Sequence, residues 1–250
     1  MRLLFIVAFL CVATFTDAQI LNVESLRKVT DTSGWSGGAS VNFSLRRNTK
    51  DFFAIYSDVH IQYKMKKHLV LFKNQVKFQK IEGDDFTNNG ISHLRYNYKF
   101  RPRISFEMFG QAQYNKISKI NFRGLLGMGP RFKLTTSENY KFYLGALIMY
   151  EYEEVEDGIT PIQRDIRGSA YLSFSLYPND KLTIISTTYF QPRLSSFNDY
   201  RISSQSSLLI DLFKNVAFKT SYTFTYDVSP AIGIPNSQYN LLTGLAYTFD

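Results

Sequence analysis

Cysteine is nearly missing from this chain. The single one, Cys11, sits in an apolar run near the N-terminus, and Leu10 before it is not the small residue that a lipid-attachment site requires. Outside that run there is no thiol, which excludes a disulfide framework and a cysteine-held metal centre. Long apolar runs are lacking as well. Beyond residue 18 the longest clean one is FYLGALIMY, Phe142 to Tyr150, bounded by Lys141 and Glu151, far short of the ~18 residues that a membrane-spanning helix needs. Blocks of basic residues are also missing: the net charge is +8, but the Lys and Arg side chains are scattered singly among apolar residues, so no nucleic-acid interface is expected. Proline occurs only seven times in 250 residues, which leaves room for long uninterrupted strands.

What the chain does have is aromatic residues, 16% of the total, in a sequence of slightly negative mean hydropathy, −0.18. That balance favours strands. The first residues, MRLLFIVAFLCVATFTDAQ, place Arg2 before an apolar stretch from Leu3 to Phe15, with Ala18 as a small residue before Gln19. Residues 1–18 are therefore expected to be a secretory signal peptide, 19–34 a short periplasmic N-terminal segment, and 35–250 the folded domain. From Trp35 onward the hydrophobic period is two. Phe53, Ile55, Val59, Ile61 and Tyr63 share one parity, and Tyr56, Asp58, His60, Gln62 and Lys64 the other. The same division separates Leu94, Tyr96, Tyr98 and Phe100 from His93, Arg95, Asn97 and Lys99. It recurs with Ile104, Phe106, Met108 and Tyr114 against Glu107, Gln111, Gln113 and Asn115.

Twelve such segments are predicted, centred near residues 41, 58, 74, 95, 110, 128, 147, 171, 186, 206, 222 and 244. An even count suits a transmembrane antiparallel up-and-down β-barrel with both termini on one side. Mostly tight turns (KMKKH, FRPRI, LTTSENYK, YPNDK, FKN) alternate with longer connections (EGDDFTNN, EEVEDGITPIQ, RLSSFND, VSPAIGIPNS), while RRNTKD and ISKIN are short on the long side. Apolar-face aromatics gather at both ends of the strands: Phe100, Phe132, Phe142, Tyr247 and Phe249 at the tight-turn end, and Tyr114, Phe122, Tyr150, Tyr152, Phe190, Tyr226 and Tyr239 at the other. Two girdles of this kind are expected where rings sit at headgroup level. The alternative, a soluble ligand-binding β-barrel, would turn the apolar face into a core. The final strand, NLLTGLAYTFD, is expected to close the cylinder against the first rather than stand as a bare edge.

The blocks RGLLGMGPR (residues 123–131), YEYEE (150–154), YFQPRLSSFNDYR (189–201), YDVSP (226–230) and LLTGLAYTF (241–249) resemble the salt-induced outer-membrane proteins, the domain of unknown function 481 family. The resemblance implies a bacterial barrel in the cell outer membrane and brings no reaction or catalytic residue. One departure is RRNT at 46–49, where Arg47 replaces the glycine of the family's GNT. Gly244, Tyr247 and Phe249 look like the terminal signal read by the barrel-assembly machinery. Leu242 and the trailing Asp250 depart from it.

By parity, Arg95, Arg123, Glu151, Glu153, Arg167, Gln191, Arg201 and Asp227 face inward near the long-connection end. They are expected to form a ring, either as a self-neutralising network or as an eyelet in which surplus arginine favours anionic solutes. Catalysis is not expected. An outer-membrane phospholipase-like hydrolase needs a paired Ser and His, yet the neighbours Ser92 and His93 point to opposite faces, and His60 and His68 lie in no lipase pattern. The acidic stretches EGDD and EEVED lack the spacing of a dedicated calcium loop and offer at most weak calcium or lipopolysaccharide-bridging contacts. The expected protein is thus a passive, anion-leaning small-solute pore or a structural envelope protein. It needs no cofactor and lies among outer-membrane lipids and lipopolysaccharide.

Overall fold

The computed structural model describes residues 33–47, 49–137, 139–213 and 216–247. The expected signal peptide, most of the 19–34 segment and Phe249 lie outside the described residues. All twelve expected strands are present: β1 (Gly34–Arg47), β2 (Asp51–Met65), β3 (His68–Ile81), β4 (Asp84–Arg101), β5 (Ile104–Asn115), β6 (Ile120–Lys133), β7 (Tyr140–Val155), β8 (Gln163–Asn179), β9 (Leu182–Arg193), β10 (Ser196–Phe213), β11 (Val216–Asp227) and β12 (Ser237–Tyr247). They form one sheet in chain order, each strand antiparallel to the next.

Because side chains alternate across a pleated strand, the register assigns each residue a side. Leu126, Ile148, Leu241 and Leu245 are exposed, whereas Arg167 and Glu107 are 0% exposed and Glu151 1%. This is the architecture of a transmembrane β-barrel, oily outside and polar within. A soluble ligand-binding barrel would need the reverse. The aromatic girdle is continuous on several strands: Phe190 packs on Tyr200 at 5.6 Å, Tyr200 on Tyr226 at 5.9 Å, and Phe142 on Phe174 at 5.8 Å. Trp35 lies 4.6 Å from Tyr63 at the tight-turn end of the β1–β2 ladder.

Two expectations are modified. The long connections are fewer than predicted, because polar residues assigned to loops stay in the sheet. Asp84 pairs with Ile81, and Ser196 with Arg193, so β3–β4 and β9–β10 turn within 82–83 and 194–195. Only 156–162 and 228–236 remain extended on that side, while 134–139 is long on the other. Secondly, β1 is laddered to β2 and β12 to β11, but among the described residues no ladder joins β1 to β12. Curvature is held where long interior side chains meet across β5–β10. The interior positions of β1 are Ser36, Gly38, Ser40, Asn42 and Ser44, which are too short to reach across.

Inside β5–β9 lies a compact cluster of Phe109, Leu147, Met149, Tyr171 and Tyr189. Glycine makes room for it. Phe109 is the direct ladder partner of Gly127, and Tyr171 of Gly145. A Cβ at Gly127 would meet the Phe109 ring at 2.5 Å, and one at Gly145 would fall on the Tyr171 ring. Gly145→Ala is therefore expected to cost about 1–3 kcal/mol through overpacking. Gly110→Ala, where a Cβ meets only Leu126 at 4.0 Å, should cost less than about 0.5 kcal/mol. Equilibrium unfolding in detergent checks both.

Candidate functional site

Strand alternation brings seven of the eight expected ring residues together at one end of the interior. Glu151 is the hub. Its carboxylate accepts from Arg167 Nε at 2.5 Å, lies 3.1 Å from Arg123 Nε, and accepts from Arg201 Nη1. Glu153 binds Arg123 and, at 2.9 Å, Arg201 Nη2, whose Nε donates to Asp227 at 2.6 Å. Gln191 receives Arg167 Nη1 on its backbone carbonyl at 3.3 Å and reaches Ser169 at 3.4 Å. Arg95 does not join this ring. It lies 3.7 Å from Glu107, which also has Arg131 at 3.5 Å, the Asn97 amide at 3.0 Å and the Tyr171 hydroxyl at 2.6 Å. Arg131 in turn stacks 3.8 Å over Tyr143.

Sequence reading missed three members of the ring. Arg193 Nη2 lies 3.1 Å from Asp165 and 2.6 Å from Asp199, and Asp199 also takes Arg167 at 3.0 Å. Asp165 carried a signal, since it shares parity with Arg167. Arg193 and Asp199 fall in RLSSFND, which sequence alone assigns to a connection. With them the ring holds four arginines (123, 167, 193, 201) and five carboxylates (151, 153, 165, 199, 227). The surplus of arginine is gone, and each guanidinium has carboxylate oxygens around it, as charges in a confined site require.

Little space is left between these groups. Between the ring and the Glu107 cluster lies a cavity of about 30 Å³ beside His93, Phe109 and Tyr189, which holds about one water. Above the ring, a space of about 70 Å³ is roofed by Pro230, Ala231 and Ile234 of the β11–β12 connection. That segment folds across the mouth and is tied on both flanks. Lys119 Nζ donates to the Ile232 carbonyl at 2.8 Å, and the Ile232 amide donates to Asp157 Oδ2 at 3.2 Å. The Thr160 hydroxyl, the amides of Thr160 and Ile159, and that of Ile232 hold the Asp157 carboxyl well below the usual carboxylate range.

The remaining polar groups have modest roles. Ser92 Oγ receives the Asn74 amide on the outer wall, while His93 bonds Gln111 and stacks on Phe109 inside. His68 bonds the Tyr96 hydroxyl at 2.7 Å. Glu82 pairs with Lys50 at 2.9 Å. Among the described residues, no group of three or more His, Cys, Asp or Glu side chains is placed to hold a metal ion.

The model of DUF481, a family of proteins of unknown function, matches residues 24–249. No curated protein matches. Among solved structures, the NanC porin is 11% identical, covering 78% of this chain and 94% of its own at a TM-score of 0.47. A bacterial polysaccharide outer membrane secretin is 9% identical, covering 85% and 90% at 0.42. OccK11 (OpdR) of Pseudomonas aeruginosa is 7% identical, covering 83% and 63% at 0.40.

Two outcomes follow from this geometry. Glu151→Ala strips the shared carboxylate from three buried guanidiniums and is expected to cost about 3–5 kcal/mol. Asp51→Ala, which breaks the exposed 3.5 Å pair with Arg47, should cost about 0–1 kcal/mol. Unfolding midpoints in detergent compare them. The second outcome concerns pH. The Asp157 carboxyl titrates lower when folded than when unfolded, so its contribution is present above the unfolded value and is lost as pH falls through the folded one. The Ile232 amide should thus stay protected from hydrogen exchange at mildly acidic pH, becoming labile only in strong acid, and in Asp157→Asn at every pH.

Proposed function

The chain belongs to the DUF481 family, and from that premise we propose that it is an outer-membrane barrel passing small solutes along one half of its interior. The observation that carries this is the asymmetry of the inner wall. Across β4–β10 the interior is filled by the ring, the aromatic cluster and the Glu107 cluster, which includes Arg95 and Asn97 of β4. Across β1–β3 and β10–β12 many interior positions carry short or polar side chains. These include Ser36, Ser40, Ser44, Gln75 and Gln79 on one flank and Gln205, Ser207, Ser221 and Thr223 on the other. Lys73 is buried and paired with Asp58, so the lean toward anions is assigned to the net charge of +8 rather than to the ring, which is an internal pier.

The same proposal has the girdles in contact with outer-membrane lipid and lipopolysaccharide, and the Gly244-bearing last strand read by the assembly machinery. It involves no turnover and no cofactor. A second reading, a closed structural envelope protein, is favoured by the roof of residues 228–236. Planar-bilayer recording of the refolded chain separates them. A small ohmic conductance leaning toward anions is the expected result. Silence in wild type, persisting in Lys119→Ala with Asp157→Asn, would establish the closed reading. Lipid hydrolysis by the purified chain would overturn both.

A further inference from the structure

Residues 228–236, which join β11 to β12 across the long-connection mouth, are built as a piece that keeps its own shape. At the base, the Asp227 amide donates to the Asn236 carbonyl at 2.8 Å, and the Asn236 side-chain amide donates to the carbonyls of Asp227 at 2.8 Å and Val228 at 3.1 Å. At the tip, the Ile234 amide donates to the Ala231 carbonyl at 2.9 Å, and Gly233 has a φ of +85°. That is the pattern of a type II turn centred on Ile232 and Gly233. Pro230 and Pro235 flank the turn and stiffen its backbone. Among the described residues, hydrogen bonds from this segment to the chain beyond Asp227 lie at two places. Near the base, the Val228 amide donates to the Tyr200 carbonyl at 3.2 Å. At the tip, Ile232 is gripped by Lys119 and Asp157.

The two posts stand without the segment they hold. Asp157 accepts the amides of Ile159 at 3.1 Å and Thr160 at 2.8 Å and the Thr160 hydroxyl at 2.5 Å, all within its own connection. Lys119, in a left-handed conformation at φ 55°, receives the Glu156 amide on its carbonyl at 2.8 Å, which joins the two neighbouring connections. The grip on Ile232, by contrast, is two exposed hydrogen bonds, and bonds that water can replace contribute little net stability. Packing adds little more, because Pro230, Ala231 and Ile234 cover a cavity of about 70 Å³ whose floor is Arg123, Glu153, Arg201 and Asp227 rather than an apolar surface. A stiff segment with a firm base and a weakly held tip opens locally while the sheet stays intact. We propose that residues 228–236 are a flap that swings as one piece on Asp227 and Asn236, with Lys119 and Asp157 as its latch, and that opening it admits small polar solutes to the charged cavity beneath. The flap rests on the barrel reading but not on conduction.

Labelling of a single thiol placed in that cavity tests the flap. Val155, at the end of β7, lines the cavity, and the ring beneath closes the approach from the interior. Val155→Cys in a Cys11→Ser background of the refolded full chain is therefore open to a charged methanethiosulfonate reagent only while the flap is lifted. Slow labelling is expected with the latch intact, and labelling at least about tenfold faster in Lys119→Ala with Asp157→Ala, which removes both tip bonds. Ile232→Pro should act in the same direction, because proline suits this position of the turn but lacks the amide that Asp157 accepts. Lys50→Ala with Glu82→Ala, which breaks an exposed pair elsewhere on the same rim, should leave the rate unchanged. Heat-modifiable gel migration confirms that each variant is folded. Rapid labelling with the latch intact would mean that the cavity is uncovered, and equally slow labelling in every variant would mean a fixed roof; either overturns the proposal. Faster labelling of the unlatched variants, in a chain that is silent in bilayers, would refute the conducting path and leave the flap standing. Conductance together with labelling indifferent to the latch would do the opposite.

Discussion

A carboxylate enclosed by three guanidiniums is the contact on which the interior depends. Burying Glu151 is tolerable only because Arg123, Arg167 and Arg201 reach it from three different strands, and burying those arginines is tolerable only because Glu153, Asp199 and Asp227 take their remaining donors. No member can be satisfied by its own strand alone. The network therefore ties β6, β7, β8, β10 and β11 together on the inner side, in a sheet whose outer side faces hydrocarbon and has only packing to offer. The aromatic cluster beneath it is of the same kind, since Phe109 and Tyr171 occupy the space that Gly127 and Gly145 on the adjacent strands leave open.

The wall was far more legible than what fills it. Period-two alternation is local, and a slip of one residue would turn every side chain to the wrong face, so Leu126 and Leu245 outside and Arg167 and Glu151 inside could be read directly. Contacts between strands depend on register, which parity does not supply. Arg95 and Arg123 share a face, yet the ladder sets Arg95 beside Phe109 and within reach of Glu107, away from the ring. Phe109, Met149 and Tyr171 lie on the polar parity, and only their pairing with Gly127 and Gly145 explains them. Loop length was the least legible property. Polar residues such as Asp84 and Ser196 are as content at the wet end of a strand as in a turn.

At the long-connection end, charge is matched and roofed, with Asp157 and Lys119 gripping Ile232 from either side. At the tight-turn end, Lys99 and Lys219 are exposed, so the closed and the open parts of the interior lie at different depths.

The lone tryptophan gives the molecule a built-in optical probe. Trp35 is on β1, against Tyr63 of β2, and β1 has a ladder along one edge only among the described residues. Indole emission depends on the polarity around the ring, so the intrinsic fluorescence of the unlabelled chain reports on one hairpin alone, the one that carries the outermost strand of the sheet.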